Sequence, residues 1–177
     1  MLEGKLVKLV EYKKEYLEKA REMINDWEVK KYLTPGIPFP LRIEDEEKWY
    51  SSLNPFGNGT YSFAILLKDT NEYIGGCGVN TVDWKNSVAE VGIFLGSQYH
   101  NKGYGTDAME ILVHFVFNEM NINKIRLHTY SFNKRGIRVY EKVGFKTEGV
   151  LRKEIFREGQ YHDIVVMGLL REEWQEK

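Results

Sequence analysis

The chain has 177 residues, of which 42% are apolar and 29% charged, a composition typical of one globular domain large enough to bury a substantial core. Its net charge of −1 removes a general electrostatic reason to bind nucleic acid or an anionic membrane surface, so neither partner is expected. Cys77 is the single cysteine, which excludes an intrachain disulfide and a cysteine-rich zinc site and suits a reducing compartment.

No low-complexity segment, internal repeat or linker interrupts the sequence, and we therefore expect one domain over residues 1–177. The first residues lack an apolar signal core, and no apolar run approaches the roughly 18 residues of a membrane span. The sequence thus predicts a cytoplasmic protein. The sequence does not fix the oligomeric state, and a homodimer is one of the alternatives.

The first third of the chain predicts a strand, a helix, a proline loop and a second helix. Apolar residues recur at helical spacing from Tyr16 to Trp27, which indicates the first helix. Prolines concentrate in residues 33–42, LTPGIPFPLR, and predict a loop. The stretch IEDEEKWYSSL then begins with acidic residues, which are favoured in the first turn of a helix.

From Tyr61 the apolar pattern changes to a period of two. The stretches YSFAILL, EYIGGCGVNTV and SVAEVGIFLG predict three strands, joined by turns at residues 68–71 and at DWKN. Because these connections are too short for parallel pairing, the three strands form an antiparallel meander.

The last part of the chain alternates helices and strands. Ala108, Ile111, Leu112, Phe115 and Val116 share one face of a helix that begins near Gly105. KIRLHTY then predicts a strand, followed by a helix from Asn133, as N-cap, to about Val143, with Gly144 as its stop. FKTEGVLRKEIF and YHDIVVMGLL predict a closing hairpin around REGQ.

The segment HNKGYGTDA, residues 100–108, fits G-x-G-x-x-A, the loose dinucleotide-binding fingerprint. That fingerprint requires a parallel strand before the glycines and an acidic residue about 20 residues beyond them. Here an antiparallel meander precedes the glycines, and the window NKIRLHTYSFN holds no acid. A phosphate cradle at a helix N-terminus remains, beside the alternative of a glycine turn that binds nothing.

Two longer stretches decide between these alternatives. AEVGIFLGSQYHNKGYGTDAMEILVHFVF and NINKIRLHTYSFNKRGIRVYEKVGFKTEG resemble the GNAT superfamily of acetyl-CoA-dependent N-acetyltransferases, in its pyrophosphate loop and its N-x-x-A-x-x-x-Y-x-x-x-G-F motif. The resemblance covers nearly the whole chain and is closest to the branch of ribosomal-protein N-terminal and spermidine acetyltransferases. It implies an α/β (α+β) three-layer fold with a mixed, mostly antiparallel seven-stranded sheet, about four helices and splayed central strands.

The resemblance also implies a binding site for acetyl-CoA, without a metal. The pyrophosphate would lie on the amides of the loop, and the pantetheine arm would pair with the splayed strand and bond to Asn133. The residues implied are Ile93, Phe94, Leu95, His100, Asn101, Lys102, Gly103, Tyr104, Gly105, Thr106 and Asn133.

Two positions depart from the family pattern. His100 replaces the usual Gln or Arg at the start of the loop, from which we expect weakened or pH-sensitive cofactor affinity. Gly136 replaces the usual Ala, at a cost of about 1 kcal/mol in helix propensity.

Acyl transfer to an amine needs a base for the ammonium and an acid for the departing thiolate. Tyr140 is the candidate acid, and the alternative is a core aromatic residue. Glu90 is the candidate base, acting through a water, and the alternative is a surface or salt-bridged carboxylate. His114, His128, His162, Asp163 and Cys77 are interpreted as packing or surface residues.

The acceptor is predicted to be a protein N-terminal α-amine of ribosomal-protein type, with a polyamine or other small amine as the alternative. In this family the first two helices and the proline loop usually form the acceptor side. The aromatic residues there belong either to the core or to the cleft. The acids either face water at the start of a helix or face the cleft, where they would attract either substrate. The residues concerned are Trp27, Tyr32, Phe39, Trp49 and Tyr50, with Asp26, Glu28, Asp45, Glu46 and Glu47. The alternative from another functional class is a non-catalytic sensor that binds acyl-CoA. The presence of Tyr140 and Glu90 is evidence against it.

Overall fold

A computed structural model describes residues 2–33, 35–56 and 59–174. Thr34, at the start of the proline loop, lies outside the described residues. The helices are α1 (Leu17–Asn25), α2 (Trp27–Leu33), α3 (Ile43–Ser51), α4 (Tyr104–Glu119) and α5 (Lys134–Val143). The strands are β1 (Val7–Glu11), β2 (Tyr61–Leu67), β3 (Tyr73–Asp83), β4 (Val88–Leu95), β5 (Lys124–Tyr130), β6 (Lys146–Arg157) and β7 (Gln160–Leu170).

The seven strands form one sheet in the order β1-β2-β3-β4-β5-β7-β6. Every neighbouring pair is antiparallel except β4 and β5, which run parallel. The antiparallel meander of β2, β3 and β4 and the closing hairpin of β6 and β7 are therefore confirmed. The mixed, mostly antiparallel sheet implied by the resemblance is confirmed as well.

The central strands β4 and β5 separate along their length. Their pairing covers only Val88–Glu90 with Lys124–Arg126, whereas β4 continues to Leu95 beside β3. The backbone N–H and C=O groups of a strand point alternately to its two sides. After Glu90, the groups of β4 on the β5 side therefore face a gap, because β5 no longer pairs with β4 there. This gap positions the candidate site.

Helix α4 covers the sheet with an apolar surface wider than one face. Ala108, Leu112 and Val116 are fully buried as expected, and so are Met109 and Val113. The helix packs against β1, β3 and β4 and also against α5. Truncation of a buried leucine costs about 2–5 kcal/mol. The burial of Leu112 therefore stabilises the packing of α4 on the sheet.

The first helix is broken where the sequence predicts continuity. The chain turns at Asp26, whose backbone is extended at φ −62° and ψ 126°, and α2 starts at Trp27. The Asp26 carboxylate accepts hydrogen bonds from the Glu28 N–H at 3.0 Å and from the Ser97 hydroxyl. An aspartate that bonds a backbone N–H two residues ahead starts a new helix. The described residues consequently contain five α-helices, one more than the resemblance implied.

Helix α5 has the predicted ends. Asn133 caps it by accepting a hydrogen bond from the Gly136 N–H at 3.0 Å, and Gly144 ends it at φ 116°. A positive φ of this size is accessible mainly to glycine, so the helix stops there.

Candidate active site

A cavity of about 500 Å³ lies in the gap between β4 and β5. Its walls come from β4, the loop before α4, the first turn of α4, α5 and one side of α2. All the residues implied as cofactor-binding or catalytic line it except Tyr104, whose half-buried side chain packs against the core. Tyr104 can therefore contribute only its backbone.

The phosphate loop, the segment 100–106 that the resemblance implies for the pyrophosphate, leads directly into α4. Gly103 precedes the helix in the left-handed conformation, at φ 85°, which residues with a Cβ rarely adopt. The first N–H groups of the helix, from Tyr104 to Thr106, have no carbonyl one turn earlier to bond, and they lie at the positive end of the helix dipole. This loop has the features of a phosphate site.

Asp107, in the first turn of α4, ties this helix to the N-terminal strand. Its buried carboxylate accepts hydrogen bonds from the backbone N–H groups of Lys5, Leu6 and Val7, at 3.0, 2.8 and 2.9 Å. A Cβ at Gly4 would lie 2.4 Å from Asp107 Oδ2, so a glycine gives the chain room to pass. The carboxylate is thus engaged by three backbone N–H groups of the chain itself, and these bonds fix the position of α4.

His100 folds back onto β4. Its Nε2 lies 2.9 Å from the carbonyl oxygen of Leu95, so this ring nitrogen donates the hydrogen bond. Burial, and after it the positive charge of Arg135, hold the pKa of His100 below its ordinary value, although Asp26 and Glu28 oppose the shift. A bound polyanion would raise this pKa again.

Cations of α5 face the cavity, and the sequence reasoning missed them. Arg135, Arg138 and Lys142 all line the wall, and Lys102 adds a fourth positive side chain from the loop. Positions i, i+3 and i+7 of a helix share one face, and this spacing beside the Asn133 cap was the available signal.

Asn133 is already hydrogen-bonded within the protein. Besides capping α5, its Nδ2 donates to Thr129 Oγ1 at 3.2 Å. Gly136 allows this arrangement, because a Cβ there would lie 2.4 Å from Asn133 Nδ2. The Gly136 departure therefore has a packing reason inside the chain.

Tyr140 is buried, with 8% of its surface exposed, and lines the cavity from α5. Its ring meets Phe145 edge-on at 6.1 Å between centroids. Burial raises the pKa of Tyr140 to about 12, so the phenol keeps its proton throughout the neutral range. Tyr140 is thus a core aromatic residue that also lines the cavity wall.

Glu90 lies at the last β4–β5 pair before the strands separate, directly opposite Arg126. Its Oε2 lies 3.3 Å from Arg126 Nε and 3.6 Å from His128 Nδ1. Glu90 and His128 line the cavity, as does Asn80 on β3, where a bulge shifts the register against β4. The sequence interpretation of His128 as an ordinary residue missed this position, and Asn80 carried no sequence signal.

The acceptor side differs from the sequence expectation. Of the named aromatic residues only Tyr32 lines the cavity, together with Val29 and Leu33. The Tyr32 ring packs against Phe132 at 5.6 Å and under the guanidinium of Arg135 at 5.5 Å. Trp49 instead packs on Tyr12, and Trp27, Phe39 and Tyr50 are outside the cavity wall.

The five acids proposed for the acceptor side do not line the cavity. Asp45 pairs with Arg42 at the start of α3, Glu47 with Lys14 and Glu28 with Lys31. Glu46 is buried, and burial raises its pKa despite the charge of Lys30. Asp26 bonds to Ser97, as described above. Local ion pairs and caps account for these carboxylates.

The remaining candidates stay outside the site. Cys77 is buried, and burial raises the pKa of its thiol. His114 packs on Trp174, while His162 packs on Phe132 and lies 3.2 Å from the Arg157 carbonyl oxygen. Asp163 accepts from the Lys153 N–H.

Within residues 2–33, 35–56 and 59–174, His, Cys, Asp and Glu side chains form no group that could hold a metal ion. Over the same described parts of the chain, no helix has the length and apolar character needed to cross a membrane.

Comparisons with known proteins agree with this geometry. A family model described as an acetyltransferase (GNAT) domain matches residues 7–146. The uncharacterized N-acetyltransferase p20 of Bacillus licheniformis is 33% identical over 112 residues, and the match spans 63% of each chain. The putative ribosomal N-acetyltransferase YdaF of Bacillus subtilis is 29% identical over 133 residues, which is 75% of this chain and 69% of that protein.

A solved structure shares the fold. The crystal structure of spermidine N-acetyltransferase from Vibrio cholerae, in complex with CoA and spermine, superimposes with a TM-score of 0.85 at 22% identity. The match covers 94% of this chain and 96% of that one. The chain belongs to the GNAT acetyltransferase family and is an acetyl-CoA-dependent N-acetyltransferase.

Proposed function

We propose that the acceptor of this acetyltransferase is the α-amino terminus of a protein or peptide, of ribosomal-protein type. The observation that carries the proposal is the charge of the cavity wall. Glu90 is the single carboxylate among the described lining residues, and Arg126 already pairs with it. The α2 side presents Val29, Tyr32 and Leu33, which are uncharged.

A polyamine fits such a wall poorly. Its several ammonium groups need anionic partners, whereas Glu90 is the one carboxylate on the described part of this wall, and it is already paired with Arg126. A peptide N-terminus brings one ammonium, and its first side chain and backbone can contact the apolar α2 side.

The proton balance favours the same acceptor. An amine with a pKa of ~10.4 costs about 4.6 kcal/mol to deprotonate at neutral pH, whereas an α-amine near ~7.7–8.0 costs only about 1 to 1.4 kcal/mol. A peptide α-amine therefore asks much less of the base than a polyamine nitrogen does.

The substrate acetyl-CoA matches the residues present. The N–H groups at the start of α4 and the cations of α5 would hold its phosphates, and the open backbone of β4 would hold its pantetheine arm. The thioester carbonyl is the group attacked by the amine. Backbone N–H groups of Ile93 to Leu95 on the open side of β4 would stabilise the oxyanion.

Tyr140 supplies the proton to the leaving sulfur, and Glu90 belongs to the side chains that handle the ammonium proton. Because the pKa of Tyr140 is raised to about 12, the phenol is a weak acid, and its proton moves together with cleavage of the C–S bond. The nitrogen of the tetrahedral intermediate carries one proton more than the amide product, and that proton restores the phenol, so the tyrosine ends the cycle unchanged.

The relatives support both acceptor classes. The name of the YdaF relative favours a ribosomal acceptor. The fold shared with spermidine N-acetyltransferase makes a polyamine the second candidate. Release of the CoA thiol from acetyl-CoA tests the choice, with a panel of peptides, spermidine and simple diamines as acceptors. We expect peptides to give the higher kcat/KM. Preference for spermidine would overturn the proposed acceptor and leave the acetyltransferase chemistry intact.

A further inference from the structure

Three side chains converge where the central strands separate. Glu90 on β4 and Arg126 on β5 are register partners, and His128 follows two residues after Arg126 on the same face of β5. The Oε2 atom of Glu90 lies within 4 Å of both Arg126 Nε and His128 Nδ1. A carboxylate and an imidazole therefore lie side by side in the cavity wall.

The two members of this pair differ in their contacts within the protein. The Oε2 of Glu90 is already engaged by the Arg126 guanidinium, whose Nε lies 3.3 Å away. His128 turns only Nδ1 toward Glu90, which leaves Nε2 as the second nitrogen of a cavity-lining ring. Histidine is the side chain that most often acts as a general base in enzymes.

We infer that His128 Nε2 takes the proton from the acceptor ammonium, and that Glu90 orients the imidazole through Nδ1. The inference deepens the proposed function and rests on it. The Nδ1 to Oε2 distance of 3.6 Å is an ion-pair distance, and catalytic hydrogen bonds of this kind commonly tighten only when substrate binds.

The ammonium N–H bond breaks and its proton passes to Nε2, so the ring becomes an imidazolium beside the Glu90 carboxylate. The freed nitrogen lone pair forms the C–N bond to the thioester carbon, and the C–S bond then breaks. The leaving sulfur receives the proton of Tyr140, the surplus proton on the new C–N nitrogen passes to the tyrosinate, and the imidazolium releases its own proton to solvent.

Charged groups other than Glu90 also face the cavity. Lys102 of the loop and Arg135, Arg138 and Lys142 of α5 share the wall with His128, and His100 is a further titratable group there. Arg126 adds a further positive charge on the same strand. Glu90 is the one carboxylate among the described lining residues, and it faces the ring directly.

The test compares His128→Gln, Glu90→Gln and wild type by kcat/KM for a peptide acceptor from pH 6 to 9. For His128→Gln we expect a loss of about 10²-fold at pH 7 that shrinks to about threefold at pH 9, where an α-amine is already neutral. Glu90→Gln should cost about tenfold at pH 7, since the imidazole remains. The Kd for CoA should stay unchanged in both variants.

His114→Gln is the matched control, because its ring packs on Trp174 outside the cavity. Its profile should superimpose on that of wild type. A loss in His128→Gln that is equal at all pH values would make the residue structural, and a larger loss in Glu90→Gln than in His128→Gln would return the base to Glu90. If wild type acetylates spermidine but no peptide, the proposed acceptor fails first; the same pH series with spermidine then decides the role of His128 separately.

Discussion

The carboxylate of Asp107 accepts a hydrogen bond from the backbone N–H of Val7 at 2.9 Å, although 100 positions separate the two residues. The same carboxylate binds the N–H groups of Lys5 and Leu6. It thereby joins the first strand of the sheet to the turn of α4 that carries the phosphate loop. Stability and cofactor binding are coupled at this point.

Asp107→Ala should lower the free energy of unfolding by about 3 kcal/mol, because three partly or fully buried N–H groups lose a charged acceptor. Urea denaturation followed by far-UV circular dichroism measures the change. Gly4→Ala should also destabilise, since its Cβ meets the carboxylate, whereas Gly149→Ala has open space and serves as the matched control. A change below about 1 kcal/mol in Asp107→Ala would show that solvent replaces the carboxylate.

Arg138→Gln should weaken CoA binding about tenfold, because a charge-assisted hydrogen bond contributes about 1.5–3 kcal/mol. Isothermal titration calorimetry gives the Kd, and the difference should diminish at high salt. Arg152→Gln removes an exposed cation on β6, outside the cavity wall, and should leave Kd unchanged. Equal Kd values for wild type and Arg138→Gln would remove α5 from the phosphate site.

CoA affinity should strengthen as the pH falls from about 7.5 to 6, through uptake of a proton at His100. Burial and Arg135 lower the pKa of His100 in the free protein, and a polyanion raises it, so the bound state holds more protons in this window. His100→Gln cannot take up this proton, so its CoA affinity should lack this contribution to the pH dependence. Because the CoA phosphate also titrates, the measured quantity is the difference between wild type and His100→Gln in log Kd against pH. Parallel curves would contradict the linkage.

Tyr140→Phe should lower kcat by about 10² or more while the Kd for CoA stays within about twofold. The ring remains, so packing against Phe145 is kept and only the hydroxyl proton is lost. Stopped-flow thiol release and calorimetry separate the two effects. Unchanged turnover would leave Tyr140 with its packing role alone.

The order of elements along the chain and the ends of α5 could be predicted because they depend on local signals. Period-two patterns mark the meander, Asn133 provides a cap, and Gly144 provides a left-handed stop. The break at Asp26 was missed, although Asp26 gives a local capping signal through the Glu28 N–H, to which a bond from Ser97, 71 positions away, adds. Apolar spacing alone continued the helix through that residue.

The residues of the candidate site likewise include some that sequence patterns located and some that they did not. Glycines and a tyrosine at family spacing located the loop and α5, and the structure brings them to one cavity. The sequence left open whether the acids of the acceptor side face the cleft, and none of them lines the cavity. Three of them form ion pairs, Asp26 bonds to Ser97, and Glu46 is buried. His128 was missed, because only the β4–β5 register brings it near Glu90.

The most direct test of the central claim uses one peptide that carries both a free N-terminus and an internal lysine, with spermidine as competitor. Tandem mass spectrometry after incubation with acetyl-CoA locates the acetyl group. The account predicts acetylation of the peptide α-amine, with the lysine and the spermidine unmodified at early times. Acetyl groups on spermidine or on the lysine side chain, with a free α-amine, would contradict it.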